Sequence, residues 1–235
     1  MSLTLPFRTA SFTVYGIDDP RSHAVSLAVR VLDEFTQEAV ITPVRVTLAQ
    51  KQAANRKFEE RTPFRNQSGD FCFEGQPNGN YSLLVEPDPV SDYFFLHPEP
   101  SQPWLDTFRR DVVLPIAGGP GLVVTMAPKP GYPFPAGTTL LRGRVLGASG
   151  VPVNRTSVSA DYTHPQPTVA DPQHVVTLTA ETRTDRQGYF TLFFRSLSSS
   201  PTNISVTARD GVRVKNQAVQ IKERESVGPM QIQFP

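Results

Sequence analysis

The sequence predicts an all-β fold of two antiparallel Greek-key β-sandwich domains in tandem, and three observations predict it. Apolar residues alternate with a period of two, turn-forming residues separate the alternating runs, and one order of motifs occurs twice. The first run places Val25, Leu27, Val29 and Val31 on one face; Val44, Val46 and Leu48 repeat the pattern. Further along, Val176, Leu178 and Ala180, and then Ile204, Val206 and Ala208, do the same. Such alternation sets one face on a core and the other in water. A helical period of 3.6 is nearly absent. The best stretch, Ala49 to Glu60 with Ala53, Ala54 and Phe58, is short and polar and reads as a loop.

Turn chemistry supports the strands. Asp210-Gly211 reads as the centre of a hairpin between Asn203–Arg209 and Val212–Ile221, because both residues tolerate φ > 0. Pro77-Asn78-Gly79-Asn80 joins Phe71–Glu74 to Tyr81–Val85 in the same way. The repeat then sets the domain count. Ala28-Val29-Arg30-Val31-Leu32, Pro43-Val44, Ser68-Gly69-Asp70-Phe71 and Tyr81-Ser82-Leu83 are followed, in the same order, by Arg142-Gly143-Arg144-Val145-Leu146, Pro152-Val153, Gln187-Gly188-Tyr189-Phe190 and Ile204-Ser205-Val206. A repeat of this length is a duplicated domain, since solenoid periods are far shorter. The expected division is a first sandwich over 1–127, a proline-rich linker over 128–137 and a second sandwich over 138–235. The linker Ala127-Pro128-Lys129-Pro130-Gly131-Tyr132-Pro133-Phe134-Pro135-Ala136-Gly137 is expected to be extended and semi-rigid.

Composition agrees. The chain has 235 residues, enough for two domains of ordinary size, and 38% of them are hydrophobic. The net charge of +1 supplies no field for steering nucleic acid or an anionic membrane. A single cysteine, Cys72, allows no intrachain disulfide. The first residues lack the basic-then-apolar pattern of a signal peptide, so the expected location is the cytoplasm or a particle assembled there. The 23 prolines cluster in loops and at strand boundaries.

Leu141-Arg142-Gly143-Arg144-Val145-Leu146 followed by Gly150-Val151-Pro152-Val153, and then Thr184-Asp185-Arg186-Gln187-Gly188-Tyr189-Phe190, resembles the carboxypeptidase regulatory-like domains, small transthyretin-like β-sandwiches. The local physics of the second motif is clear. Asp185 can accept from the backbone two residues on, Gly188 supplies a φ > 0 position, and Tyr189-Phe190 open the next strand. The first half keeps the Gly-x-Tyr strand entry of these domains at Gly79-Asn80-Tyr81; the second half departs from it with Pro201-Thr202-Asn203-Ile204. The resemblance implies a non-catalytic accessory or interaction module. Pro130 to Pro135, running into Thr138 to Gly143, also resembles segments of small accessory proteins of phage-tail-like contractile injection particles.

Catalytic signatures are scarce. His23, His97, His164 and His174 include no pair at metal-ligand spacing, so neither a metal nor a cofactor is expected. Gly118-Gly119-Pro120-Gly121 leads into a strand and reads as a tight turn. Loop aspartates at 18, 19, 88, 92, 161 and 171 lack EF-hand spacing. Cys72 between Phe71 and Phe73 reads as a half-buried small side chain. A hydrolase of the transthyretin-like kind would need clustered His and Arg and a distinctive tail, and the sequence ends Gln231-Ile232-Gln233-Phe234-Pro235.

The segment Glu86 to Arg110 stands out, with five prolines among Tyr93, Phe94, Phe95, Trp104, Leu105 and Phe108. Two readings are open: it folds back over the first sandwich as a satellite cluster, or it presents aromatics to a partner. With Tyr132 and Phe134 of the linker, these are the candidate partner contacts. The expected function is a structural adaptor contacting other protein subunits of an assembly, self-association included. A cap or baseplate adaptor of a contractile injection particle is the specific form. A carbohydrate- or peptide-binding surface module is the alternative.

Overall fold

The computed structural model describes residues 12–14, 21–40, 42–50, 60–88, 94–96, 107–166, 174–195, 197 and 200–235. Among these residues there are only strands, turns and bends, and no helix. The chain divides into two compact units, the first ending at Ala127 and the second running from Pro128 to Pro235.

In unit 1, β1 (Phe12–Val14) and β2 (Arg21–His23) pair antiparallel. The remaining strands are β3 (Val25–Asp33), β4 (Val44–Gln50), β5 (Glu60–Arg61), β6 (Phe64–Arg65), β7 (Phe71–Glu74), β8 (Gly79–Pro87), β9 (Phe94–Leu96), β10 (Phe108–Leu114) and β11 (Gly121–Pro128). They form one sheet of order β10-β8-β4-β5 and another of order β6-β7-β3-β11-β9. The alternation read from sequence faces the core: Leu27, Val29 and Val31 of β3, Val46 and Leu48 of β4, and Tyr81, Leu83 and Val85 of β8 are all buried. Each such side chain contributes about 1.5–3 kcal/mol when removed from water.

Unit 2 comprises β12 (Thr139–Leu146), β13 (Ser157–Pro165), β14 (Val175–Arg183), β15 (Tyr189–Phe194), β16 (Thr202–Asp210), β17 (Arg213–Ile221) and β18 (Ser226–Gln233). Its sheets have the orders β15-β12-β18 and β14-β13-β16-β17. Leu141, Val145, Phe190, Leu192, Met230 and Ile232 of the first sheet pack with Val158, Ala160, Ile204, Val206 and Ile221 of the second in one core.

The two units share their wiring. In each, the opening strand (β3 or β12) lies between an antiparallel neighbour (β7 or β15) and the last strand (β11 or β18). In each, the other sheet runs in equivalent order, β10-β8-β4-β5 against β17-β16-β13-β14. Both units are β-sandwiches, and the motif repeat falls on equivalent strands. Two local expectations change. The β3–β11 and β12–β18 pairs are parallel, so each main sheet is mixed. Period-two alternation fixes which face is buried and is silent on strand direction. The β16–β17 hairpin loop is Gly211-Val212, one residue later than expected. Asp210 closes the ladder against Arg213, and Gly211 alone takes φ 58°, the arrangement of a type II′ turn.

The turn before β15 forms as its residues dictate. Asp185 Oδ1 accepts from the backbone N–H of Gln187 and of Tyr189, both at 2.9 Å, and Gly188 sits at φ 78°. Thr184 Oγ1 donates to the Val153 carbonyl at 2.7 Å and accepts from the Thr156 N–H at 2.9 Å, tying the turn to the entry of β13. Unit 1 builds the same turn with Asn66, whose Oδ1 accepts from the Asp70 N–H at 2.8 Å, and with Gly69 at φ 82°.

Candidate functional site

The candidate contacts separate once they are placed in the fold. Tyr93, Trp104 and Leu105 lie outside the described residues. Phe94 and Phe95 are on β9, at the edge of the sheet beside β11. Phe108 is a correction. It opens β10 opposite Val85 and is 5% exposed, so it belongs to the core of unit 1 and cannot meet a partner. The insertion is correspondingly shorter than 86–110, because Glu86 and Pro87 belong to β8 and residues 108–110 to β10.

Tyr132 and Phe134 are brought together with residues the sequence did not single out. Their segment is not extended, as prolines alone would favour. The Tyr132 N–H donates to the Lys129 carbonyl at 3.0 Å, and the Phe134 N–H to the Tyr132 carbonyl at 2.9 Å. The Thr138 N–H closes a further turn on the Pro135 carbonyl at 3.2 Å, with Gly137 at φ 83°. This last turn has glycine at the position that type II geometry demands. The folded segment sets the Tyr132 and Phe134 rings 4.7 Å apart, edge to face. Phe134 in turn lies 6.0 Å from the Phe193 ring, and the Arg195 guanidinium stands 5.6 Å from the Phe193 centroid.

The result is a ladder, Tyr132–Phe134–Phe193–Arg195, whose three rings are half-buried and whose arginine is exposed. Phe193 reaches it because β15 alternates: Leu192 and Phe194 turn to the core, and Phe193 turns out. That parity was the available signal for Phe193. The base of the ladder is fixed from inside, where the backbone N–H of Arg195 donates to Tyr162 Oη at 3.2 Å. Burial, the dominant cause, pushes the Tyr162 phenol above its ordinary pKa, so the hydroxyl stays neutral. Half-buried rings with a cation at one end can anchor an aromatic, aliphatic or proline-bearing surface.

A cleft in unit 1 has a different character. It is an open cleft of about 460 Å³, lined by Glu60, Arg61, Thr62, Phe64, Cys72 and Gln76 among others. Cys72 is 3% exposed. Burial first, and then the charges of Asp70 and Glu74, push its thiol up to about 11. At neutral pH it is a protonated small apolar side chain and not a nucleophile. Among the described residues there is no group of three or more His, Cys, Asp or Glu placed to hold a metal ion.

No family model matches the chain, and no curated protein does. Solved structures to which it is similar include the TIE protein of Bacillus anthracis, at 13% identity and a TM-score of 0.26, covering 89% of this chain and 32% of that one. The shaft pilin SpaA of Lactobacillus rhamnosus GG matches at 8% identity and a TM-score of 0.27, covering 89% of this chain and 96% of the pilin. A DUF3823 family protein of Bacteroides uniformis matches at 9% identity and a TM-score of 0.29, with coverages of 85% and 99%. The chain thus spans about a third of the first of these and nearly all of the other two. Superpositions this loose carry no argument about role, and the functional reading rests on the chain's own residues.

Proposed function

We propose that this protein is a non-catalytic structural adaptor that makes protein–protein contacts within a larger assembly, using the Tyr132–Phe134–Phe193–Arg195 ladder as one contact. The observation that carries the reading is that ladder. Three half-buried rings and a guanidinium are held in line by a turn-locked, proline-rich segment on one side and a β-strand on the other. Aromatic and arginine side chains dominate interface energetics, and a rigid backbone lowers the entropy lost when they are used.

The specific assembly proposed is a contractile injection particle made in the cytoplasm, with the chain as a cap or baseplate adaptor. The resemblance of residues 130–143 to accessory proteins of such particles supports it, as does that of 141–153 and 184–190 to the carboxypeptidase regulatory-like modules. Phe134→Ala in the full chain tests the reading by co-purification with the neighbouring particle proteins. The expected result is at least a tenfold loss of retention with the melting temperature almost unchanged. A wild-type chain absent from purified particles would sink the particle assignment. Clear hits on a glycan array would move the function to carbohydrate binding.

A further inference from the structure

The sheet β15-β12-β18 of unit 2 turns one face to the core, and its other face carries charge of one sign. Leu141 and Val145 of β12 and Phe190 and Leu192 of β15 are buried in the core. Arg142, Arg144, Tyr189, Thr191 and Phe193 alternate with them and take the outer face. The register sets Arg142 beside Thr191 and Arg144 beside Tyr189. The Arg144 guanidinium lies 5.0 Å from the Tyr189 ring centroid, and that of Arg195 lies 5.6 Å from the centroid of Phe193. None of the three strands contains an Asp or Glu. Arg142 is exposed, and neither it nor Arg144 meets a carboxylate among the described residues.

Unit 1 shows the same face with its charges matched. There β7 takes the place of β15, and the positions of both rings hold carboxylates. Asp70 stands at the position of Tyr189, and Glu74 at that of Phe193. Asp70 accepts two hydrogen bonds from Arg30, the counterpart of Arg144, at 2.6 and 2.9 Å. The counterpart of Arg142 is Ala28. Between the two faces, two carboxylates are replaced by rings and an alanine by an arginine.

We infer that the Arg142–Arg144 face of unit 2 docks an acidic, extended segment of a partner protein, whose carboxylates take the role that Asp70 plays in unit 1. The inference rests on the contact role proposed for the aromatic ladder, which shares this face through Phe193, and names the chemistry of what that contact meets. Charge complementarity selects the occupant. Arg144 spends its Nε on the Gln187 carbonyl, which leaves its Nη groups to donate to a carboxylate. Successive outward positions of a strand are about 6.5–7 Å apart, so Asp or Glu at alternate positions of an extended segment matches Arg142 and Arg144 together. Single-stranded nucleic acid is the poorer fit. Its bases need open ring faces to stack on, and guanidinium groups already lie over one face of Tyr189 and one of Phe193.

Fluorescence anisotropy tests it, with the full chain titrated into a labelled peptide of alternating Glu and Ser. The controls are the same peptide with Gln for Glu and a labelled oligo(dT) of equal charge. The Glu peptide is expected to bind at least about tenfold more tightly than either control, and to weaken as salt is raised. Arg142→Glu should weaken it at least about tenfold with the melting temperature unchanged, since that side chain is exposed. Equal binding of the Glu and Gln peptides would overturn the inference, as would indifference to Arg142→Glu. Oligo(dT) binding as tightly as the Glu peptide would overturn it in favour of single-stranded nucleic acid. The contact reading fails separately: if the Glu peptide does not bind while Phe134→Ala still abolishes co-purification, the ladder contact stands and only the acidic partner is lost.

Discussion

Arg30 in unit 1 and Arg144 in unit 2 occupy the same place on equivalent strands, next to the same turn, yet they are held by opposite means. Arg30 meets Asp70 through two hydrogen bonds, at 2.6 and 2.9 Å, and the carboxylate is almost fully buried. Arg144 meets Tyr189, the residue at the position of Asp70, and lies 5.0 Å from its ring centroid while donating to the Gln187 carbonyl at 3.0 Å. The turn, the glycine and the arginine are kept, and the residue opposite the arginine has changed from a charge to a ring. Two sandwiches of equivalent strand order tolerate this because the turn is fixed by its own backbone bonds. The position after the glycine is then free to be charged and buried in one copy and aromatic and half in water in the other. The cost of losing it should differ accordingly, since a buried carboxylate is satisfied only by its partners and an exposed ring stays solvated.

The sharpest way to break the comparison is at the glycines. Gly188 and Gly69 have nearly the same φ, 78° and 82°. A Cβ at Gly188 would stand 2.6 Å from the Val145 carbonyl oxygen, whereas one at Gly69 would meet side-chain atoms alone, Ala39 Cβ at 3.3 Å and Arg65 Nη2 at 3.9 Å. Gly188→Ala is therefore expected to cost about 3 kcal/mol or more, from strain and backbone collision together. Gly69→Ala should cost about 1–2 kcal/mol, from the φ alone. Chemical denaturation, with hydrogen exchange at β7 and β15 to assign the loss to a unit, reads both. Equal losses would mean that crowding at Val145 is unimportant.

Next in size is Asp70→Ala, expected to destabilise unit 1 by about 2–3 kcal/mol, because it breaks a buried charge-assisted pair and leaves the Asn66 amide short of an acceptor. Tyr189→Ala, at the equivalent position, should cost about 0.5–1 kcal/mol, since the ring is 44% exposed. Matching losses in the two units, measured by the same denaturation, would refute the contrast drawn between charge and ring. The smallest effect concerns Cys72. Its thiol is pushed up to about 11, whereas an unfolded cysteine ionises near 9.0. The contribution of the protonated folded form is whole below about pH 9 and is lost as the pH rises through 11. Cys72→Ala should flatten the fall in unit 1 stability across that window and leave neutral-pH stability little changed. Slow alkylation of the native wild type at pH 8 should accompany it.

Much of this was legible in the residues. The faces of β3, β4, β8 and β16 follow from alternation alone. The Asp185–Gly188 turn follows from a carboxylate within reach of two backbone N–H groups and from the one residue type that enters φ > 0 without strain. The motif repeat falls on equivalent strands of the two units. The candidate site was half legible. Tyr132 and Phe134 stood out as aromatics among prolines, while Phe193 and Arg195 look ordinary in a strand until one asks which face they take. Phe108 misled for the complementary reason: an aromatic beside a proline-rich stretch has the same local signature whether it ends in a core or in water.

What the sequence determined by itself was therefore local: period, the Asp185–Gly188 turn, the need for glycine and the order of the strands along the chain. The tertiary structure decided what depends on partners distant along the chain. It set β11 parallel to β3, turned Phe108 inward against Val85, joined Arg30 to Asp70, and left β17 at an edge. The physical reason is that backbone and turn preferences act over a few residues. Sheet neighbours are chosen by which buried faces fit when the whole chain has closed, and no window of sequence contains that choice.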